Sequence, residues 1–428
     1  MKAVVRVSSL RGIASVPGSK SHTIRGVVIG TLTEGETIIR KPLYSEDTLS
    51  AVRACKLYGA EIELKQDHWV IRGVGRNLKV PDDVVNVGNS GTTIYFMTGV
   101  AGLLEGWSVL TGDYQIRRRP IEELLTALRS LGATAFRTRE NVDAPPVVVR
   151  GIMKGGKAQL DGKFSQFLSS LLIATPLVNG KTCIEVRDPK EKPYIKMTLE
   201  WLKRTGIRLN YDPELKFFEV EGPQDFKPVD FLIPSDWSSL SFFIVAAVVT
   251  SSEIRFENVD LSFTQADSVL LDILMGMGAD LKVNFSDNSI LVGGGRDLRA
   301  FEVDCSNSPD LFPILTVLGC FAKGESSIRG LDTIRFKETD RVAVMIEELS
   351  KMGARIGLRE GVLFINGAGG LRGSEVNSHG DHRIAMALTV AGLFADGETT
   401  VNDVDCVSVS FPNFFTLMTD LGANVKVE

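Results

Sequence analysis

Cationic and hydroxyl side chains stand directly before an apolar run near the start of this chain. The stretch "GSKSHTIR" places Lys20, Ser21 and Arg25 where a helix is expected to begin. A helix N-terminus presents free N–H groups and the positive end of the helix dipole, and both favour anions. These residues therefore predict a binding site for phosphate or carboxylate groups, while helix capping alone is the simpler alternative.

Two further stretches combine charges of opposite sign. "FKETDR" places Lys337, Glu338 and Arg341 at the start of an amphipathic helix, and "NSPD" places Asp310 before a buried one. Surface ion pairing would explain the first stretch, and helix capping would explain the second. Together they suit a site that binds an anion and moves a proton.

Other polar stretches also have simpler alternatives. "GNSGTT" (residues 88–93) could bring backbone N–H groups close to a ligand or form only a tight turn. The three arginines at 117–119 could bind an anion or form a solvated basic run. "SHGDHR" places Arg383 at the mouth of a buried helix, and His379 with His382 could bind a metal. No cysteine or carboxylate cluster in the sequence completes that ligand set, so we predict no metal site.

The elements that must position these residues repeat along the chain. One pattern is a polar turn, about a dozen small and apolar residues, a glycine or serine, and then a β-branched strand. Its marker residues recur every 71 to 74 positions, at Gly35, Gly106, Gly180, Ser252, Gly324 and Gly397. The helices of this pattern are apolar nearly all round and are therefore expected to be buried.

A second pattern alternates with the first and consists of an amphipathic helix, a glycine and a strand. Its glycines stand where a left-handed C-cap is expected, at positions 59, 132, 206, 278, 353 and 422. The two patterns together predict an α/β (α+β repeat) fold of six strand–helix–strand–strand–helix–strand units, each about 72 residues long.

The last unit is truncated, because only six residues follow Gly422. The opening "MKAVVRVSSLRGIASV" resembles the missing strands, so we expect the N-terminus to complete the last unit. This predicts two lobes of three units each, residues 18–232 and residues 1–17 with 233–428. In each lobe the polar turns should gather on one face, and the two faces should border one anion-binding cleft.

Composition excludes several classes of function. A chain of 428 residues with 44% hydrophobic and 24% charged residues is expected to form two or three soluble domains. A net charge of −5 provides no general attraction for nucleic acid or an anionic membrane, so any basic site must be local. It also disfavours a non-catalytic scaffold, such as a clamp around nucleic acid. Five scattered cysteines, short apolar runs and the lack of a recognisable targeting segment predict a cytoplasmic protein.

Six of these stretches resemble the enolpyruvyl transferase family in their order and approximate spacing. They are "PGSKSHTIR", "GNSGTT", "RRRPIEEL", "KPYI", "FKETDR" and "DHRIAMA", and the resemblance covers essentially the whole chain. It is strongest to the members that act on shikimate 3-phosphate in aromatic amino-acid biosynthesis. Members that act on UDP-N-acetylglucosamine are the alternative, but they typically carry a reactive cysteine near "DYQIRRRP", where this chain has none.

The resemblance implies a two-lobed monomer that transfers the enolpyruvyl group of phosphoenolpyruvate to the 5-hydroxyl of shikimate 3-phosphate and releases phosphate. It implies no metal and no organic cofactor. The lobes would close on the anionic substrates. The lobe formed by residues 18–232 would bind shikimate 3-phosphate. The other lobe would contain the phosphoenolpyruvate-binding residues and the residues that transfer protons.

Roles for individual residues also follow from the resemblance. Asp310 would accept the proton of the 5-hydroxyl, Glu338 would protonate the methylene carbon, and Lys20 competes for the second role. Shikimate 3-phosphate would be bound by Lys20, Ser21, Arg25, Ser165, Gln166, Tyr194, Asp310 and Lys337. Phosphoenolpyruvate would be bound by Lys20, Asn89, Gly91, Arg119, Gln166, Arg341, His382 and Arg383. Guanidinium groups suit these anions because they bind in a bidentate manner and stay charged.

The chain departs from the family pattern at four places. Tyr95 stands where arginine is common, and Phe164 replaces the first of two serines before Gln166. Glu191 stands where a phosphate-binding serine is common, and Val409 lies where a lysine is expected. We expect these differences to change substrate affinity rather than the type of reaction.

Overall fold

The computed structural model describes residues 1–262, 264–294 and 297–428, without the side chain of Ala368. Within this range the chain divides into two compact units. The first unit is Gly18–Pro234, and the second unit combines Met1–Pro17 with Ser235–Glu428. Each unit has its own hydrophobic core.

Helices of two kinds alternate along the chain. In chain order they are α1 (Lys20–Thr31), α2 (Glu46–Leu57), α3 (Gly91–Ala101), α4 (Glu122–Ser130), α5 (Ser165–Ala174), α6 (Lys192–Arg204), α7 (Trp237–Val249), α8 (Leu270–Met277), α9 (Phe312–Phe321), α10 (Arg341–Lys351), α11 (His382–Gly392) and α12 (Phe414–Asp420). The odd-numbered helices are apolar and lie inside their unit; in α7 every residue is buried. The even-numbered helices keep a polar face; α4 buries four of its nine residues. No helix in the described part of the chain is long and apolar enough to cross a membrane.

A glycine with positive φ follows each even-numbered helix. These glycines have φ between +83° and +103°, at positions 59, 132, 206, 278, 353 and 422. This backbone conformation suits glycine and ends the helix, so the predicted left-handed C-caps are confirmed.

The strands form six four-stranded sheets within the described residues. In chain order the strands are β1 (Lys2–Arg6), β2 (Arg11–Ala14), β3 (Glu34–Arg40), β4 (Glu61–Leu64), β5 (His68–Val74), β6 (Val85–Asn86), β7 (Ser108–Thr111), β8 (Thr134–Arg137), β9 (Val147–Arg150), β10 (Lys157–Leu160), β11 (Gly180–Val186), β12 (Asn210–Tyr211), β13 (Phe217–Gly222), β14 (Asp230–Leu232), β15 (Glu253–Phe256), β16 (Leu281–Asn284), β17 (Ser289–Val292), β18 (Glu302–Asp304), β19 (Glu325–Arg329), β20 (Arg355–Arg359), β21 (Val362–Asn366), β22 (Glu375–Asn377), β23 (Glu398–Asn402) and β24 (Asn424–Val427).

All six sheets have the same topology. In each sheet one edge strand pairs in parallel with its neighbour and the other two pairs are antiparallel, as in β6-β7-β9-β8 and β10-β11-β13-β12. The mixed α/β class and the six repeats predicted from the sequence are therefore confirmed.

The N-terminal segment serves two different sheets of the second unit. β1 lies between β23 and β24, where Ala3 faces Val401 on one side and Val427 on the other. β2 instead pairs in parallel with β15. The expectation that the whole opening segment completes the last repeat is therefore wrong for β2. The reason is that β14, which precedes the fourth repeat in the chain, pairs in parallel with β3 of the first repeat, so the edge position beside β15 is filled by β2.

Candidate active site

In the first unit, Lys20 is held at the start of α1 by an acidic residue from α2. Its Nζ lies 2.9 Å from Oδ2 of Asp47, and the two side chains are 16% and 6% exposed. Asp47 lies in the first turn of α2, where the helix dipole favours a carboxylate. A ligand anion at Lys20 must therefore compete with Asp47.

Arg25 is a buried cation that joins α1 to α6. Its Nε donates to Oγ1 of Thr198 at 2.9 Å, and its two Nη atoms donate to the carbonyl oxygens of Ser21 and Tyr194, each at 3.1 Å. Burial lowers the pKa of Arg25 to about 10, although Tyr194 and Glu191 act in the opposite direction. The guanidinium thus stays charged at neutral pH, and it brings three residues named from the sequence into one group.

The start of α5 is occupied by a carboxylate from the same unit. Glu191, which is 1% exposed, accepts hydrogen bonds at Oε2 from the backbone N–H of Ser165 (3.1 Å) and from its Oγ (2.6 Å). Gln166 follows Ser165 in the first turn and is half-buried. A helix start that binds an internal carboxylate is able to bind an anion. An external anion that bound at Ser165 would therefore have to displace Glu191 or bind beside it.

Arg119 packs against the backbone of Gly91. A Cβ atom at Gly91 would collide with the Arg119 guanidinium, so this close approach requires glycine. Arg119 is 6% exposed, whereas the two preceding arginines, 117 and 118, are exposed. Asn89 precedes Gly91 by two residues in the sequence. Its Nδ2 atom donates a hydrogen bond to Oδ2 of Asp113 at 2.7 Å. Of the basic run at 117–119, only the third residue is turned inward.

In the second unit, Arg341 is surrounded by three carboxylates. Its Nη1 lies 2.9 Å from Oδ1 of Asp310, its Nη2 lies 2.5 Å from Oε2 of Glu338, and its Nε lies 2.7 Å from Oδ2 of Asp381. The Arg341 side chain is 1% exposed. Burial by itself would lower its pKa, but Asp381, Glu338 and Asp310 raise the pKa above its ordinary value. The guanidinium is therefore permanently charged and its orientation is fixed.

Asp310 bridges two guanidinium groups. Its second oxygen, Oδ2, lies 3.2 Å from Nη2 of Arg383, and its side chain is 21% exposed. Burial raises the pKa of Asp310, but the positive charges of Arg383, Lys337 and Arg341 outweigh burial and hold the pKa well below its ordinary value. Asp310 is therefore ionised at neutral pH.

Residues at the start of α11 complete this group. Asp381 accepts a hydrogen bond from the backbone N–H of Arg383 at 2.9 Å and so caps the helix as it binds Arg341. The Arg383 Nη1 atom donates to Oγ of Ser238 at the start of α7. His382 lies in the first turn of α11 and is 1% exposed.

His379 and His382, which the sequence left as a possible but disfavoured metal pair, do not share a group of three possible ligands among the described residues. His379 Nε2 lies 2.7 Å from Oε1 of Glu348, and Glu347 is also within 4.8 Å in a possible ligand group that does not include His382. The expectation that carboxylates are absent from this neighbourhood was wrong, because α10 supplies them from about 30 residues earlier in the sequence. Lys351 Nζ binds both oxygens of Glu348, at 2.8 and 2.9 Å, and satisfies the buried charge without a metal.

The structure thus brings some of the residues predicted from the sequence together, in one group in each unit. In the second unit, Asp310, Glu338, Arg341 and Arg383 form one connected network, and Lys337 acts electrostatically on Asp310. In the first unit, Arg25 directly binds Ser21 and Tyr194, and it acts electrostatically on Glu191, which binds Ser165.

The sequence interpretation missed several acidic and hydroxyl partners. Asp47, Asp381 and Ser238 hold the predicted cations, yet none was named as a site residue. Asp47 and Asp381 lie at helix starts, so their capping signature was visible. Their second role, as ion-pair partners of Lys20 and Arg341, could be recognised only from the three-dimensional structure.

Comparison with known proteins gives consistent results. Residues 4–418 match the family model described as EPSP synthase (3-phosphoshikimate 1-carboxyvinyltransferase). A 3-phosphoshikimate 1-carboxyvinyltransferase of Acetivibrio thermocellus is 44% identical over 423 residues, which cover 99% of this chain and 98% of the relative. One from Methanococcus maripaludis is 38% identical over 432 residues, with both chains fully covered. A solved EPSP synthase structure from Acinetobacter baumannii matches with a TM-score of 0.84 at 29% identity, covering 100% of this chain and 99% of the other.

Proposed function

The chain belongs to the EPSP synthase (3-phosphoshikimate 1-carboxyvinyltransferase) family, and from this membership we propose how its residues carry out the reaction. The protein is a transferase of the shikimate pathway. The 5-hydroxyl oxygen of shikimate 3-phosphate adds to C2 of phosphoenolpyruvate while C3 gains a proton. The tetrahedral intermediate then loses C3's extra proton and phosphate to form the enol ether.

The network around Arg341 carries this proposal. It holds an ionised carboxylate, Asp310, next to a second carboxyl group, Glu338, and two guanidinium groups in one unit. We propose that Asp310 accepts the proton of the 5-hydroxyl and that the protonated form of Glu338 donates its proton to C3, with Lys20 as the alternative donor. This arrangement of fixed charges is suited to stabilising charge that develops during the reaction.

Substrate binding would itself raise the basicity of Asp310. In the absence of substrate, Arg383, Lys337 and Arg341 stabilise the ionised form of Asp310 and make it a weak base. An anionic substrate bound by Arg341 and Arg383 would neutralise part of this positive charge. The pKa of Asp310 would then rise toward the range that proton transfer requires.

For shikimate 3-phosphate, we propose binding by the residues predicted from the sequence. The support in the first unit is the group around Arg25 and the anion-binding start of α5. The proposed residues are Lys20, Ser21, Arg25, Ser165, Gln166, Tyr194, Asp310 and Lys337.

For phosphoenolpyruvate, the proposal relies on three buried arginines. Arg119, Arg341 and Arg383 are at most 6% exposed, and such guanidinium groups suit carboxylate and phosphate. The remaining proposed residues are Lys20, Asn89, Gly91, Gln166 and His382.

We also propose that the enzyme acts as a monomer in the cytoplasm. The five cysteines, which are all free thiols, are consistent with a reducing compartment. Measurement of the molar mass in solution by light scattering tests the first part, and cell fractionation tests the second.

An assay of phosphate release tests the reaction. Shikimate 3-phosphate with phosphoenolpyruvate should give turnover, and UDP-N-acetylglucosamine as the acceptor should give none. The named relatives and the family model do not favour the UDP-N-acetylglucosamine transferase or a non-catalytic scaffold. Turnover with UDP-N-acetylglucosamine alone would reverse the assignment of the acceptor.

A further inference from the structure

A buried carboxyl group lies behind the Arg383 end of the charged network and has no role in the mechanism above. Asp267 belongs to the short 3-10 segment Ala266–Val269, directly before α8, and is 2% exposed. Its Oδ1 atom has no hydrogen-bond partner among the described residues. A buried ionised carboxylate with an unsatisfied oxygen is costly, so the neutral, protonated form is favoured.

The groups facing Asp267 come from each neighbouring element. Ser238, at the start of α7, forms a hydrogen bond with it, and three charged groups act on it electrostatically. These are Asp310 from the turn before α9, Arg383 from α11 and Asp236 at the N-cap of α7. The thiol of Cys305, just after β18, is a further neighbour, and Asp267 contributes to its raised pKa.

Asp267 and Arg383 share Ser238 as a partner. The Arg383 Nη1 atom donates to Oγ of Ser238, while Arg383 Nη2 lies 3.2 Å from Oδ2 of Asp310. One guanidinium is therefore balanced by the carboxylate of Asp310 when Asp267 is neutral. If Asp267 were also ionised, two carboxylates would act on this single positive charge and reduce its attraction for a substrate anion.

The protonation state of Asp267 changes within the range in which enzymes work. Burial and the negative charges of Asp310 and Asp236 together raise the pKa of Asp267 to about 7, against the opposing effects of Arg383 and the hydrogen bond with Ser238. Below this value the carboxyl group carries its proton, and above this value it becomes negatively charged.

We propose that Asp267 is a positioning residue for phosphoenolpyruvate: its protonated carboxyl group holds Ser238 beside Arg383 and leaves the guanidinium charge available to the substrate. Loss of that proton makes Asp267 negatively charged, and this charge weakens the attraction of Arg383 for the substrate anion. This inference rests on the proposed role of Arg383 in binding phosphoenolpyruvate. It predicts that phosphoenolpyruvate binds less tightly as the pH rises through neutrality, while binding of shikimate 3-phosphate changes less.

The test compares wild-type enzyme with Asp267→Asn, an uncharged variant close in shape to the protonated acid. The KM for phosphoenolpyruvate is measured between about pH 6 and about pH 8.5, with shikimate 3-phosphate saturating. The wild-type KM relative to that of the variant should rise by up to about tenfold per pH unit above neutrality. Taking this ratio cancels the ionisation of the substrate itself. Asp272→Asn, an exposed residue of α8, is the matched control and should follow the wild type.

One outcome would overturn the inference. The same pH dependence of the KM for phosphoenolpyruvate in wild type and Asp267→Asn rejects it, because the ratio of the two KM values would then stay constant over this range. If Asp267→Asn does not fold, the neutral and smaller Asp267→Ser takes its place in the comparison. Absence of phosphate release by the wild type would instead reject the proposed function, so the two failures can be distinguished.

Discussion

Asp310 and Arg341 form a hydrogen-bonded ion pair, with Oδ1 and Nη1 2.9 Å apart, although they are 31 residues apart in the sequence. The pair joins the turn before α9 to the first residue of α10. Because Arg341 also binds Asp381 before α11, one buried guanidinium connects the starts of three helices from two repeats. The position of the proposed base is therefore fixed by the fold and does not depend on a flexible loop.

Replacing the proposed base should remove turnover while leaving substrate binding nearly intact. Asp310→Asn keeps the shape of the side chain but accepts no proton, so kcat should fall by about 100-fold or more. Both KM values should change much less. Steady-state phosphate release measures these quantities, and the exposed Asp332→Asn is the control. A kcat near that of the wild type would show that Asp310 is not the base.

Removing the carboxylate at the start of α5 should strengthen binding of shikimate 3-phosphate. Glu191 holds the N–H and hydroxyl of Ser165, which we propose to bind the acceptor, and its negative charge repels a phosphate. Glu191→Ser should lower the KM for shikimate 3-phosphate by about tenfold, with little effect on the KM for phosphoenolpyruvate.

Two further variants define the cause of that effect. Glu191→Gln removes the charge but retains an acceptor for Ser165, so it should also lower the KM for shikimate 3-phosphate. Glu221→Ser, on the exposed part of β13, should behave like the wild type. Weaker acceptor binding in Glu191→Gln would mean that the carboxylate supports binding.

Enlarging Gly91 should displace Arg119. An alanine Cβ would collide with the guanidinium, which must then move. If Arg119 binds phosphoenolpyruvate, Gly91→Ala should raise the KM for this substrate by about tenfold or more. Gly276→Ala is the matched control, because a Cβ there meets nothing within 4 Å. Equal kinetics in both variants would argue against the role of Arg119.

Buried His22 should make the protein less stable in mild acid. Burial, Arg25 and Arg204 lower the pKa of His22 to about 3, whereas an unfolded histidine titrates at about 6.5. Only the unfolded chain therefore takes up this proton as the pH falls below about 6.5. The free energy of unfolding should decrease by about 1.4 kcal/mol per pH unit from this group, until the pH reaches the folded pKa.

His22→Gln tests this contribution. Glutamine retains an acceptor for Trp201 Nε1, which donates to Nδ1 of His22 at 3.1 Å, but it does not titrate. Urea unfolding at several pH values should show a shallower loss of stability in this variant than in the wild type. Identical slopes in wild type and His22→Gln would contradict the prediction.

Local rules in the sequence were sufficient for much of the fold. The period of the repeats, the glycines at C-caps such as Gly59 and the contrast between apolar and amphipathic helices all follow from short-range physics. The placement of β2 did not follow, because parallel pairing with β15 joins segments about 240 residues apart. Such pairing depends on which partner strands remain available, and no local signal encodes it.

The candidate site was predictable on its cationic side and less so on its acidic side. Lys20 and Arg341 stood out because cations at helix starts are unusual, whereas acidic residues there resemble ordinary caps. The sequence therefore did not reveal that Asp47 and Asp381 also form ion pairs with those cations. Glu191 was visible as a departure from the family pattern, but its contact with Ser165 was not.

The position of β1 between β23 and β24 has a consequence for biosynthesis. β1 is synthesised long before β23 and β24, so it has no partner strand until both of them have been made. The three sheets of the first unit need only strands within residues 18–234, so this unit has all its strands before the other is complete. Translation thus imposes an order of assembly that refolding of the full-length chain does not share.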